Sequence, residues 1–119
     1  MNDENELEYF AEIHDLLYKL GVTEKYMGFF HSSYAVYLTI RQPDRLLLIT
    51  KKIYPEVARH YGTNWRAVER SIRTLVRAVW RQCPEVLSSI ASGNLIKRPS
   101  NSQFIAIMAH YLRTKDMNL

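Results

Sequence analysis

At 119 residues, 47% of them hydrophobic, the chain is long enough to bury one core and too short for two. The net charge of +4 hides a segregation: residues 1–40 carry two basic and seven acidic side chains, 41–82 ten and three, and 83–119 four and two. A basic middle third points to a polyanionic partner. No run of about 18 apolar residues could span a bilayer, the acidic start is the wrong sign for a secretory signal, and the lone Cys83 cannot form an internal disulfide, which fits a reducing, cytoplasmic setting.

Asp3, Glu4, Glu6 and Glu8 make residues 1–9 an acidic leader, expected to be solvated or loosely ordered. From Glu6 to Leu20 the apolar positions Leu7, Phe10, Ile13, Leu17 and Leu20 recur at helical spacing, with Gly21 as the stop. Thr23 is placed to cap a second helix over about 24–40, whose Tyr26, Phe29, Phe30, Tyr34, Tyr37 and Leu38 supply aromatic bulk to the core. Gln42-Pro43-Asp44 breaks the chain before a third apolar run, Leu46 to Ile49 with Ile53, that ends at Pro55.

Pro55 opens a short helix through His60, Gly62 ends it, and Thr63 or Asn64 caps a long helix to about Gln82. A short segment from Pro84 to Ala91, an irregular stretch 92–101 and a last helix carrying Phe104, Ile105, Ile107, Met108, Tyr111 and Leu112 complete an all-α chain. Small Ala58, Gly62 four residues later and apolar Val68 six beyond that have the spacing of a helix-turn-helix. The small residue admits a steep helix crossing, the glycine a positive φ, and the valine locks the second helix onto the first.

On that second helix Arg66, Arg70, Arg73, Arg77 and Arg81 fall within an arc of about 80° at 100° per residue, opposite Val68, Ile72, Leu75, Val76 and Val79. Like charges at i and i+4 repel, and Glu69 alone offers relief, so an external anion is the expected compensation. The major groove of DNA admits one helix and meets the N-terminal half of it, where Arg66, Glu69, Arg70 and Arg73 stand. Arginine can bond guanine through two N–H groups, and glutamate can accept from a cytosine amino group or simply pair with Arg73. Arg77 and Arg81 lie further along, toward phosphate or solvent. Thr63 and Asn64 could bond phosphate or act only as caps.

The DNA-binding candidates are therefore Thr63, Asn64, Arg66, Glu69, Arg70, Arg73 and Arg77, with double-stranded DNA as partner. Trp65 and Trp80 are expected to pack, Trp65 with access to the DNA backbone. No enzyme, metal or cofactor is expected: His14, His31, His60 and His110 lack ligand spacing with Cys83 or each other, and there is no glycine-rich phosphate loop or nucleophile elbow.

The strings Ile53-Tyr54-Pro55-Glu56-Val57-Ala58-Arg59-His60-Tyr61, Val68-Glu69-Arg70-Ser71-Ile72-Arg73, Val79-Trp80 and Pro99-Ser100-Asn101-Ser102-Gln103-Phe104-Ile105-Ala106 are more specific than the helix-turn-helix alone. Together with Leu20-Gly21-Val22 and Gly28-Phe29 they resemble the C-terminal DNA-binding effector domains of sporulation response regulators of the stage 0 sporulation protein A type. The resemblance covers residues 10–114, after the leader 1–9 and before a tail 115–119.

The resemblance implies an all-helical domain of about six helices that binds short promoter boxes, often in tandem, with Glu69 and Arg70 in the major groove. RNA polymerase is a second partner it implies. The expected state is a monomer that pairs on tandem sites. Two departures stand out: Ala67 occupies a position where the family often has arginine, with Arg66 one residue earlier, and the segment from Trp80 to Pro99 is a few residues shorter than the family's polymerase-facing surface. The family's effector domain normally follows a phosphate-accepting receiver. Here the initiating Met1 and an unrelated leader point to a single-domain relative rather than a cut fragment. The competing reading is a protein-interaction module, a decoy or anti-activator that keeps the fold and has lost DNA readout.

Overall fold

A computed structural model describes residues 3–117, with side chains from 6 to 115. The side chains of Asp3 and Glu4, and residues 118–119 of the expected tail, lie outside the described residues. Six α-helices follow in order: α1 (Asp3–Lys19), α2 (Met27–Arg41), α3 (Tyr54–Tyr61), α4 (Trp65–Gln82), α5 (Pro84–Ile90) and α6 (Asn101–Met117). A 3₁₀ turn, Pro43–Leu48, and a π turn, Ile49–Ile53, join α2 to α3, and no strand occurs among the described residues. The expected all-α class is the observed one.

The central helix is α2. Ten of its fifteen residues are buried, and it packs against α1, α4 and α6. Phe29 and Tyr37 are fully enclosed, while Tyr26, Phe30 and Tyr34 pack at the edge of the core. Polar residues survive here because their hydroxyls turn back onto the helix: Ser33 donates to Phe29 O at 2.6 Å and Thr39 to Ala35 O at 2.8 Å. The helix starts at Met27 rather than 24, because Thr23 caps a preceding turn instead. Its carbonyl accepts from Tyr26 N–H at 3.1 Å, and Tyr26, the residue before the helix, makes no side-chain cap.

At its other end α1 finishes as expected, with Gly21 at φ +87°. Val22 N–H donates to Leu17 O at 3.2 Å and Gly21 N–H to Tyr18 O at 3.0 Å, the paired bonds of a Schellman stop. Its beginning differs. The helix runs back to Asp3, through residues read as a loose leader, and Tyr9 packs against the core with its ring 6.3 Å from that of Tyr37. Leucine and glutamate are good helix formers, and acidic residues suit the positive end of a helix.

The run Leu46 to Ile49 is not the buried segment its composition suggests, since Leu47 is 84% and Leu48 50% exposed. Pro43 starts a 3₁₀ turn, in which positions three apart eclipse. Leu46 in that turn and Ile49, the first residue of the π turn, pack against the core, while the two leucines between them face water.

Candidate nucleic-acid interface

The α3–α4 turn is built as its residues dictate. Gly62 sits at φ +67°, ψ +39°, where a side chain is strained. Thr63 N–H donates to Ala58 O at 2.9 Å and Gly62 N–H to Arg59 O at 3.4 Å, a second Schellman stop. Of the two candidate caps, Asn64 is the one used: its side chain accepts from Ala67 N–H at 2.9 Å, whereas Thr63 is exposed. Ala58 and Val68 are both buried at the crossing.

Along α4, Val68, Ile72, Leu75, Val76 and Val79 are sealed in the core. Arg66, Arg70, Arg77 and Arg81 are exposed and Arg73 is half-exposed. Glu69 Oε2 meets Arg73 Nη1 at 2.8 Å, so the pairing expected for an i, i+4 couple is formed, with the second carboxylate oxygen left to accept elsewhere. The Arg66 guanidinium lies 5.3 Å from the ring centre of Trp65, itself 40% exposed, while Trp80 packs against the core. The helix thus presents Arg66, Glu69, Arg70, Arg73 and Arg77 along one outer side, with Thr63 and Asn64 at its start.

Residues to which the sequence assigned no role hold this helix in place. A Cβ on Gly28 would stand 2.3 Å from Ser71 O, so α2 and α4 touch backbone to backbone. One turn further along α2, His31 Nδ1 lies 2.6 Å from Ser71 Oγ. The Ser71 hydroxyl also lies 3.0 Å from Val68 O, so Ser71 bridges the His31 ring to the first turns of α4. Burial holds the His31 pKa below its ordinary value.

From the other side, Asn101 Nδ2 donates to Glu69 O at 3.0 Å and to Tyr54 Oη at 3.1 Å, tying the start of α6 to both helices of the motif. Burial is the main reason the Tyr54 phenol is pushed above its usual pKa, and the Asn101 bond works against it. The start of α6 is fixed by a reciprocal box: Gln103 N–H donates to Ser100 Oγ at 3.1 Å, and Ser100 N–H to Gln103 Oε1 at 2.8 Å. The Ser-x-x-Gln spacing was a legible signal for that box. The contact from Asn101 to α4 was not.

Among the described residues no three His, Cys, Asp or Glu side chains gather where a metal ion could be held, and no helix is long and apolar enough to cross a membrane. A short helix, a three-residue turn and a long helix whose outer side is arginine, braced from both flanks by other helices, define a helix-turn-helix domain of the DNA-reading class. The family model described as sporulation initiation factor Spo0A C terminal matches residues 13–112, from the core residue Ile13 of α1 to Leu112 of α6. The chain belongs to this family, that of the DNA-binding effector domain of a sporulation regulator.

Proposed function

We propose that this chain is a sequence-specific transcription regulator that reads the major groove with the helix from 63 to 82. The observation that carries the reading is the uncovered arginine side of α4 on a scaffold that fixes its angle from two flanks. In this reading Arg70 bonds a guanine edge, and Glu69, with one oxygen held by Arg73, offers the other to a cytosine amino group. Arg66 replaces the arginine that Ala67 lacks. Thr63 and Asn64 lie where the strand backbone passes the helix start, and Arg77 reaches phosphate. The chain acts as a DNA-binding protein rather than an enzyme, in the cytoplasm.

Selection from randomised duplexes tests this directly, with enrichment of one short motif expected. On that motif Arg70→Ala should cost about 1–3 kcal/mol and relax preference at one base pair, whereas Arg81→Ala should weaken all sequences about equally. Equal losses for both variants on selected and random DNA would remove the assigned readout. No enrichment and no binding at low salt would favour the protein-interaction reading, for which exposed Leu47, Leu48 and Ile96 offer apolar contact.

A further inference from the structure

Beside α4 lies an open cleft of about 380 Å³, bounded by Glu69 and Arg73 on one side and by residues 98–102 on the other. Neither the helix-turn-helix nor the assigned DNA set includes the second wall. Asn101 nevertheless locks that wall to α4 at the level of Glu69, and the Ser100–Gln103 box fixes its turn. Pro99 is buried, so Arg98 projects from an anchored segment, and it is exposed. Among the described residues Arg98 has no carboxylate partner, whereas the one carboxylate on the cleft, Glu69, is already matched by Arg73. Arg98 is therefore the uncompensated cation of this site.

The position of the cleft decides what it would meet. At 100° per residue Arg73 stands about 40° and Glu69 about 80° round from the axis of the arginine stripe, so the cleft opens on one shoulder of the helix. A helix about 10–12 Å across fills a groove about 12 Å wide. Its tip then faces base edges and its shoulders face the two phosphate walls.

We propose that this cleft seats one backbone phosphodiester of the strand running beside α4, with Arg98 supplying the charge. Ser100 assists, because its Oγ accepts from Gln103 N–H and leaves its own O–H to donate. The contact positions the domain on the duplex and carries no sequence information. It rests on the major-groove reading above, and it extends the DNA surface from the helix-turn-helix to the start of α6.

The test is fluorescence anisotropy with the selected duplex and a random one across a salt series. Arg98→Gln should bind about 3- to 10-fold more weakly to both duplexes, with a log K against log salt slope shallower by about 0.9, one phosphate's worth. Arg113→Gln, an exposed cation about three turns further down α6, should bind as the unaltered chain does. Neutral methylphosphonates scanned along the strand should reveal one position that weakens the unaltered chain and leaves Arg98→Gln unaffected. If Arg98→Gln keeps full affinity and slope, shifts base preference, or responds to every methylphosphonate as the unaltered chain does, the phosphate seat is wrong and the major-groove reading stands. If the unaltered chain binds no duplex, that reading fails first and the seat falls with it.

Discussion

His31 shows how a single side chain in the centre of the domain links packing to solution conditions. Gly28 brings α2 so close to α4 that the imidazole one turn later reaches Ser71, and the ring is 3% exposed. Burial lowers its pKa below the ordinary 6.5, and that of His14 is lowered mainly for the same reason. Well above 6.5 both states are neutral and the titration of neither histidine changes stability. As pH falls through that value the unfolded chain takes up protons that the folded chain resists, so stability is lost until the folded imidazoles also protonate. Melting temperature should therefore be flat from pH 8 to 7 and fall between pH 6.5 and 5. His31→Gln should have a shallower acid decline than the parent, with His14 still contributing. An identical decline in the variant would show that His31 does not contribute.

Among the elements, the helix-turn-helix was readable because its determinants are local. Gly62 needs its positive φ and Asn64 caps its own helix. The arginines and valines of α4 separate at a fixed angle whatever surrounds them. Two parts were not readable. The 43–53 connection follows 3₁₀ and π periods that a 3.6-residue pattern misassigns, which hid the exposure of Leu47 and Leu48. The brace from α6 depends on residues 32 and 47 positions apart meeting in space, and Asn101 is only another helix-start residue until that meeting is seen. Asn101→Ala deletes both of its bonds and should lower unfolding free energy by about 1–3 kcal/mol. DNA affinity should fall with it, since Glu69 sits at the anchored turn. Tyr54→Phe, which removes one bond of the two, should have the smaller effect. Denaturant titration of the three proteins checks the order, and an Asn101→Ala midpoint equal to that of the parent would mean the brace is idle.

Over the whole molecule the charges are sorted by layer. Acidic side chains gather on α1 and basic ones on α4, both of which pack against α2, and the exposed arginines of α4 give the approach of a polyanion a favoured side. No described element lies across the exposed arginines of α4. We therefore expect DNA binding by these 119 residues without any phosphodonor, at an occupancy set by concentration alone. Single DNA-reading domains bury limited area, about 600–1,000 Å² for comparable modules, so one copy on one box should bind modestly. Two adjacent boxes bring a second copy to high local concentration and raise occupancy where the copies touch. The expected state is a monomer by light scattering that protects tandem boxes at lower concentration than a single box. Footprinting on both templates, before and after acetyl phosphate treatment, separates the possibilities. Equal half-protection on one box and two would remove the pairing, and a gain after phosphodonor treatment would show that something other than the exposed helix limits binding.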